Sequence, residues 1–351
     1  MSTLLELLKK ATNYYEKKGY DNPRVSAEKL FAKALNMDRI MLYAYFDKNI
    51  TESQKEQIRK TMELSDDFED EKDTLKSLLD SSIEYLLKHN INEARIIAEL
   101  IFSKVLNISH MTLFMKYNHK ISNDEKLKIK EYILKIAKEK VPYQYLFNEQ
   151  NFYGRNFYID KGVLIPRYDT EILVEKVIEL VKPNNTILDI GTGSGIIALT
   201  IALEVPSTKV LAVDISDKAI EISNINKEKL NASNVKIIKS DIFSNVSYNT
   251  FDIIVSNPPY ISNDEIKYVS TDTLLHEPME ALFAENDGLY FYYEISRQAR
   301  YYLKSGGYLA FEIGFKQSKA VTEILTKLDY KDIKQYKDMN GKDRVIIARK
   351  G

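Results

Sequence analysis

Cysteine and tryptophan are absent from the 351-residue chain, and histidine occurs only four times. The lack of cysteine excludes disulfides and thiolate-bound metals, and it suits a reducing cytoplasm. The histidines are scattered without ligand-like spacing, so we expect no metal site. No apolar run approaches the roughly 18 residues of a membrane span. The first twenty residues have helical periodicity and charges in place of a signal peptide's apolar centre. We therefore expect a cytoplasmic protein with no membrane segment.

An excess of charge of one sign is also lacking. Lysine and arginine number 50 against 51 aspartates and glutamates, for a net charge of −1 at pH 7. The balance is +3 over residues 1–65, −1 over 66–140 and −3 over 141–351. A protein that grips a nucleic-acid backbone carries a basic excess on the contacting segment. The even distribution argues against nucleic acid as a direct partner.

An internal repeat occupies the first 140 residues. AEKLFAKALNMDRIMLY (27–43) aligns with AELIFSKVLNISHMTLF (98–114) at an offset of 71, with 7 of 17 positions identical. The same offset, without a gap, pairs Arg24 with Arg95. A gapless match over this length is more than shared helical periodicity provides, so we interpret it as a duplicated module.

Each copy is expected to fold as a small bundle of about three helices, because apolar residues recur at helical spacing. Thr51 and Gln54 have the spacing of a capping box that opens a helix. The acidic stretch SDDFEDEKD (65–73) divides the copies as a solvated linker. We expect modules at 1–65 and 66–140 that bind or position a partner. A lone bundle of this size is marginally stable, so the copies should stack on each other.

From residue 186 the pattern changes to strands that alternate with helices, which predicts an α/β domain over 141–351 with a mainly parallel sheet and helices on both faces. Predicted strands are TILDI (186–190), KVLAVDI (209–215), VKIIKSD (235–241), FDIIVSN (251–257), GYLAFEI (307–313) and two segments near 331–336 and 344–349 that flank a turn at Asn340-Gly341.

The first of these strands runs into a glycine-rich turn, LDIGTGSG. Glycines at 191, 193 and 195 allow a tight turn and close approach of the backbone to a ligand, and the next helix offers free amides. Asp214 closes the second strand, where a carboxylate can accept ribose hydroxyls. Asp241 closes the third, near the place of an adenine edge. The pattern favours an adenosine compound, whereas the G-x-G-x-G spacing argues against NAD and no Walker lysine is present.

The fourth strand ends in Asn257, Pro258, Pro259 and Tyr260. Prolines cannot continue a strand ladder, so they can serve simply as a terminator. Alternatively they form a rigid platform that holds an amide and an aromatic ring over a ligand. Ligands of open α/β sheets bind just outside the carboxyl ends of the strands, which is where this segment falls.

These motifs carry a family resemblance. LDIGTGSG, Asp214 and NPPY resemble the class I S-adenosylmethionine-dependent methyltransferases. Four further segments narrow it to the bacterial glutamine methyltransferases of peptide chain release factors, the PrmC/HemK family: VPYQYLFNEQNFYG (141–154), GVLIPRYDTEILVE (162–175), HEPMEALFAENDGL (276–289) and FEIG (311–314). The resemblance covers about residues 75–351. This chain departs from the family in having two helical modules in place of one, and Tyr168 where the family usually has proline.

The resemblance implies a Rossmann-like domain with a seven-stranded sheet, S-adenosyl-L-methionine as cofactor, and a class-1 release factor as protein substrate of a monomeric enzyme. Asn257 and the carbonyl of Pro258 would accept the hydrogens of the substrate amide, with Tyr260 packed on its flat face. Cofactor-binding residues would be Asp189, Gly191, Thr192, Gly193, Ser194, Gly195, Asp214, Asp241, Ile242 and Asn257. Substrate-binding residues would be Arg167, Asn257, Pro258, Pro259, Tyr260 and Glu277.

Several of these assignments have structural alternatives. Asp189 either orients the methionine amine of the cofactor or caps the glycine turn. Arg167 and Glu171 either line the site from a lid or form a structural ion pair. Glu277 either shapes the substrate entrance or precedes a helix start at Pro278. Two alternatives remain for the whole protein. One is a DNA or RNA amino-group methyltransferase, which needs a nucleic-acid-binding surface that the sequence does not indicate. The other is a non-catalytic binding protein with the same fold.

Overall fold

The structure is a computed structural model that describes residues 2–20, 22–66, 74–247 and 250–351. The chain divides into two compact units, Met1–Glu139 and Lys140–Gly351. Nearly all of the acidic linker predicted at 65–73, and Asp21 of the first predicted turn, lie outside the described residues. The division of the first unit into modules at 1–65 and 66–140 stays a prediction.

The first unit consists of helices. In chain order they are α1 (Leu4–Lys17), α2 (Pro23–Ala34), α3 (Arg39–Ala44), α4 (Glu52–Asp66), α5 (Leu75–Lys88), α6 (Ala94–Leu106), α7 (His110–Met115) and α8 (Asn123–Glu139). The expectation of about three helices per copy was wrong, because each copy has a fourth, six-residue helix. One buried leucine anchors it in each case, Leu42 in α3 and Leu113 in α7. A helix with a single apolar anchor leaves too little periodicity to be detected in the sequence.

The two copies match in detail. Isolated antiparallel bridges join Thr3 to Asn49 and Thr74 to Lys120, again at an offset of 71. The predicted capping box is confirmed, since Thr51 and Gln54 exchange hydrogen bonds between side chain and backbone. Within this unit α4 of the first copy packs against α8 of the second, as expected if the copies stack.

The second unit is an α/β domain that opens with a short helix and a hairpin. Its elements are α9 (Tyr143–Phe147), β1 (Glu149–Phe152), β2 (Arg155–Tyr158), α10 (Thr170–Ile178), β3 (Thr186–Ile190), α11 (Ile196–Glu204), β4 (Lys209–Asp214), α12 (Asp217–Leu230), β5 (Val235–Lys239), β6 (Phe251–Ser256), α13 (Thr271–His276), the kinked turn α14 (Glu285–Gly288), α15 (Tyr290–Tyr302), β7 (Leu303–Glu312), α16 (Ser318–Lys327), β8 (Tyr330–Lys337) and β9 (Asp343–Lys350).

Strands β3 to β9 form one seven-stranded sheet in the order β5-β4-β3-β6-β7-β9-β8. All neighbours are parallel except β9, which is antiparallel to β7 and to β8. The predicted α/β fold and all seven predicted strands are therefore confirmed. The chain runs outward from β3 to β5 and then returns to β6 on the other side of β3, so β3 and β6 flank the topological switch point where such sheets bind ligands.

Alternating side chains of the strands fill two cores, one on each face of the sheet. Ile187 and Ile253 pack with α10, α11 and α12, whereas Leu188 and Ile254 pack with α15 and α16. All four side chains are at most 1% exposed, and each contributes about 1.5–3 kcal/mol by leaving water. Because both faces are covered, the carboxyl edge of the sheet is the part of the central strands left open to a ligand.

None of the helices in the described part of the chain is long and apolar enough to cross a membrane. Within the same residues, no group of three or more histidine, aspartate or glutamate side chains is arranged to hold a metal ion.

Candidate active site

The glycine-rich turn joins β3 to α11 at the switch point. Gly191, Gly193 and Gly195 have φ values of 71°, 56° and 85°, in the left-handed region that favours glycine. A Cβ atom on Gly191 or Gly193 would meet open space, whereas one on Gly195 would lie 2.9 Å from Leu199 Cδ1. The first two glycines leave room for a ligand, and the third permits the helix to pack. Thr192 and Ser194 are buried between them.

Asp214, at the end of β4, is held in place by two backbone amides. Oδ2 accepts from the N–H of Gly193 over 2.8 Å and Oδ1 accepts from the N–H of Ser216 over 2.9 Å. Burial raises the pKa of this carboxyl, and the amide hydrogen bonds oppose the rise. The side chain is thus aimed before any ligand arrives, and it lines a cavity at the carboxyl edge of the sheet.

Asp189, in β3, lies beneath the turn. It is completely buried, and its Oδ2 accepts the Thr192 hydroxyl over 2.6 Å. Burial raises its pKa from 3.8 to about 7, against the opposing effects of the Thr192 hydroxyl and the Ala198 amide. Asp189 is not among the described residues that line the cavity. Its observed contact is the one expected of a residue that caps the turn.

The raised pKa of Asp189 predicts a pH-dependent stability. The folded state keeps this proton up to about pH 7 and the unfolded chain loses it near pH 4, so the stabilisation is complete in acid and lost as the pH rises through 7. Between pH 5 and 8 the wild type should lose about 2–3 kcal/mol more of its unfolding free energy than Asp189→Asn. Urea unfolding of the protein without cofactor measures this difference. Exposed Asp264 provides the control, since Asp264→Asn should keep the wild-type slope.

Asp241 and Ile242 follow β5 and also line the cavity. Asp241 is exposed, and its backbone N–H donates to the Ser244 hydroxyl over 3.1 Å. Ile242 has a φ of 48°, which is unusual for a β-branched residue and costs about 1–2 kcal/mol. The turn therefore holds a bulky apolar side chain in the cavity wall at an energetic cost.

The cavity is also lined by Asn257, Pro258 and Pro259, which follow directly after β6. In the sheet, β6 and the strand that ends in Asp214 lie on either side of β3. Ser256, just before them, donates its hydroxyl to the carbonyl of Ile190 over 2.7 Å, which ties β6 to β3 at this edge. Asn257 Nδ2 lies 3.3 Å from Oγ1 of Thr170. The strand end therefore delivers an amide side chain to the cavity on a backbone that the prolines stiffen.

Tyr260 differs from its neighbours, because it is not among the described residues that line the cavity. Its hydroxyl donates to Oε1 of Glu312 over 3.4 Å, and its ring packs on the core beside α15 and β7. Burial raises the pKa of this phenol above its ordinary value. In this structure Tyr260 therefore anchors the Asn-Pro-Pro-Tyr segment to the core of the domain.

The segment before α10 forms part of the cavity lining, and an ion pair joins it to the segment that follows α13. Arg167 donates to Oε1 of Glu277 over 2.5 Å, and the N–H of Ile165 donates to Oε2 over 3.0 Å. Glu171 accepts instead from the N–H of Tyr153 over 2.7 Å. The alternative in which Arg167 pairs with Glu171 was wrong, because Glu171 accepts from the β1–β2 turn and Arg167 pairs with Glu277. Arg167 and Pro278 line the cavity, whereas buried Glu277 holds them together.

Among the residues near Asn257 that had not been singled out from the sequence are Thr170 and Glu312. Glu312 ends β7 and is 2% exposed, and Thr170 begins α10 and is 1% exposed. The available signal was an acidic residue inside the apolar strand segment LAFEI, since a carboxylate is almost never fully buried without partners.

The chain is similar to known proteins in sequence and in structure. The family model "Methyltransferase small domain" matches residues 167–291, and "PrmC N-terminal domain" matches residues 6–64 and 77–147. The chain is 41% identical to the release factor glutamine methyltransferase of Fusobacterium nucleatum over 90% of this chain and 93% of that protein. It is also 41% identical to the release factor glutamine methyltransferase of Clostridium botulinum over 79% and 99% of the two chains. A methyltransferase structure from Pyrococcus furiosus is similar over 60% of this chain and 95% of its own, at 25% identity and a TM-score of 0.46.

Proposed function

Because the chain belongs to the release factor glutamine methyltransferase family, we propose that it methylates the side-chain amide nitrogen of the glutamine in the Gly-Gly-Gln motif of class-1 peptide chain release factors. The observation that carries the proposal is the Asn257 amide, which lies at the switch point and lines the same cavity as Asp214. A planar NH2 group needs acceptors in fixed positions, and an asparagine oxygen with a proline carbonyl supplies two. The protein would act as a cytoplasmic monomer on a protein substrate, not on nucleic acid.

S-adenosyl-L-methionine is the methyl donor, and the residues of the site fit it. Asp214 presents a carboxylate that two amides orient for hydroxyl groups. Asp241 and Ile242 line the cavity and would contact the edge and face of the adenine, and Gly191 and Gly193 leave space for close approach. When bound, the cofactor supplies an electrophilic methyl group on a positively charged sulfur.

The chain's own task is to make a poor nucleophile react. An amide nitrogen shares its lone pair with the carbonyl, so it must be turned towards the methyl group. Asn257 Oδ1 and the Pro258 carbonyl would accept the two N–H hydrogens and set that orientation, on a backbone kept rigid by two prolines. The ion pair of Arg167 with Glu277 would hold the segment before α10 against the cavity and so help to exclude water. No side chain is needed as a strong base, since the proton can leave after transfer.

Asp214→Ala should weaken binding of S-adenosylmethionine about 10- to 150-fold, the equivalent of about 1.5–3 kcal/mol for hydrogen bonds to a charged group. Calorimetry measures the affinity. Asp217→Ala is the matched control, because Asp217 is a nearby exposed carboxylate that does not line the cavity. An unchanged affinity in Asp214→Ala would refute the ribose assignment.

The proposed reaction is tested by transfer of a labelled methyl group to a purified class-1 release factor. We expect label on the intact factor and none when the glutamine of its Gly-Gly-Gln motif is replaced by alanine. Label that persists on the replaced factor would disprove the site of methylation. Efficient labelling of a DNA or RNA oligonucleotide, with none on the factor, would establish the alternative function instead.

The helical unit is proposed to bind the release factor at a distance from the reacting glutamine. A reactive loop is a small part of a large substrate, and a second contact raises its effective concentration at the active site. The module at 66–140 takes the place of the family's substrate-binding module, and the module at 1–65 would extend that contact. Neither copy is required for the chemistry itself.

A further inference from the structure

Three polar side chains from three elements meet behind the proline platform. Thr170 donates its hydroxyl to Oε2 of Glu312 over 2.7 Å, and the same Thr170 oxygen lies 3.3 Å from Nδ2 of Asn257. Thr170 and Glu312 are at most 2% exposed, so bulk water does not compete for their hydrogen bonds. A buried carboxylate at the end of β7 is thereby connected, through one hydroxyl, to the amide at the end of β6.

The two hydrogen bonds of Thr170 must run in one direction, because its hydroxyl has a single proton to donate. A threonine hydroxyl has one proton, and that proton goes to the carboxylate of Glu312. Oγ1 of Thr170 can then only accept from Asn257, and only the NH2 group of Asn257 can donate. If the Asn257 amide were flipped, its Oδ1 would face Oγ1 of Thr170 with no proton between the two oxygens, and they would repel each other. The network therefore fixes which end of the Asn257 amide remains available in the cavity, and that end is Oδ1.

We propose that Thr170 and Glu312 are positioning residues for methyl transfer, which hold the Asn257 amide with its oxygen free to accept a hydrogen from the substrate amide. The inference rests on the proposed function, and it assigns to Thr170 and Glu312 a role in that reaction. Neither residue need touch the substrate. They act by selecting one of the two amide orientations of Asn257.

Glu312 is the shared acceptor of two hydroxyl groups, those of Thr170 and Tyr260. Burial raises the pKa of this carboxyl, while the Thr170 hydroxyl and the charge of Arg344 favour its ionised form. Tyr260 also donates to it, over 3.4 Å, so both polar side chains of the Asn-Pro-Pro-Tyr segment lead to the same carboxylate. Hydrogen bonds that run in one direction polarise one another, so the bond from Thr170 to Glu312 strengthens the bond that Asn257 donates to Thr170.

The first test compares three threonine variants under saturating S-adenosylmethionine and release factor. Thr170→Val removes the hydroxyl at nearly constant shape and should lower kcat about 10- to 100-fold, with cofactor affinity within about threefold of wild type. Thr170→Ser keeps the hydroxyl and should recover most of that loss. Thr200→Val is the matched control, since Thr200 is fully buried and its hydroxyl has no hydrogen-bond partner. Its kcat should equal that of the wild type.

The second test separates positioning from a merely structural role by repeating Thr170→Val in the Asn257→Ala background. With no amide left to orient, kcat should change less than about twofold there. An equal fold-loss in both backgrounds, or a Thr170→Val kcat above about one third of wild type, would overturn the inference and leave the proposed function intact. Glu312→Leu, which removes the acceptor of the Thr170 hydroxyl, should match Thr170→Val. A wild-type protein that labels no release factor would end both proposals.

Discussion

Replacement of Asn257 by alanine is expected to lower turnover by at least about 100-fold, with S-adenosylmethionine affinity within about threefold of wild type. The size of the effect follows from the removal of one preorganised polar group from a site that excludes water. Cofactor affinity should change little because Asp214 and the glycine turn, with their own hydrogen bonds, do not depend on Asn257. Single-turnover labelling of the release factor and calorimetry measure the two quantities.

Asn224→Ala is the matched control for this experiment. Asn224 is also half-buried and donates one hydrogen bond through Nδ2, to the carbonyl of Ile220 over 2.8 Å, but it lies in α12 away from the cavity lining. Its loss should leave turnover unchanged. If Asn257→Ala reduced turnover less than about threefold, other acceptors would have to hold the substrate amide. The role assigned to Asn257 in the Asn-Pro-Pro-Tyr segment would then be wrong.

Gly288→Ala is expected to reduce both stability and turnover strongly. Gly288 has a φ of +79°, and a Cβ atom there would lie 2.1 Å from the carbonyl oxygen of Tyr260 and 2.6 Å from Nε2 of Gln317. Those two atoms are hydrogen-bonded to each other over 2.9 Å. The alanine must push the Tyr260 backbone aside, and with it the segment that carries Asn257. We expect a loss of about 3 kcal/mol or more, from left-handed strain and overpacking together.

The expected loss of turnover in Gly288→Ala is tenfold or more, because a displacement of about 1 Å at a reacting group can cost about 100-fold. Gly341→Ala separates strain from displacement. Gly341 has a φ of +75° but nothing within 4 Å of its Cβ position, so that variant should lose only about 1–2 kcal/mol and keep full turnover. Urea unfolding and methyl-transfer assays compare the pair. Equal effects of the two substitutions would show that Gly288 is needed only for its backbone conformation.

Features that neighbouring residues encode could be predicted from the sequence. The seven strands, the glycine turn, the capping box at Thr51 and the hairpin at Asn340-Gly341 are each specified by residues within a few positions of one another, through a periodicity of two or 3.6, a side-chain cap, or a left-handed glycine. The duplication was visible because the offset of 71 is constant. The ends of β3, β4 and β6 could be placed at one edge because parallel strands share their direction, which brought the glycine turn, Asp214 and Asn257 to a single site.

The pairing of side chains across that site depends on how the helices and strands pack, and it became visible only in the folded protein. Arg167 pairs with Glu277 at a separation of 110 residues, and Thr170 with Glu312 at a separation of 142. Local patterns carry no information about such pairs, because the distance between them is set by strand order and by how α10 packs on the sheet. The inward turn of Tyr260 and the burial of Asp189 have the same origin. A buried polar group must find a partner wherever packing places one, and here packing placed Glu312 and Thr170 behind Asn257.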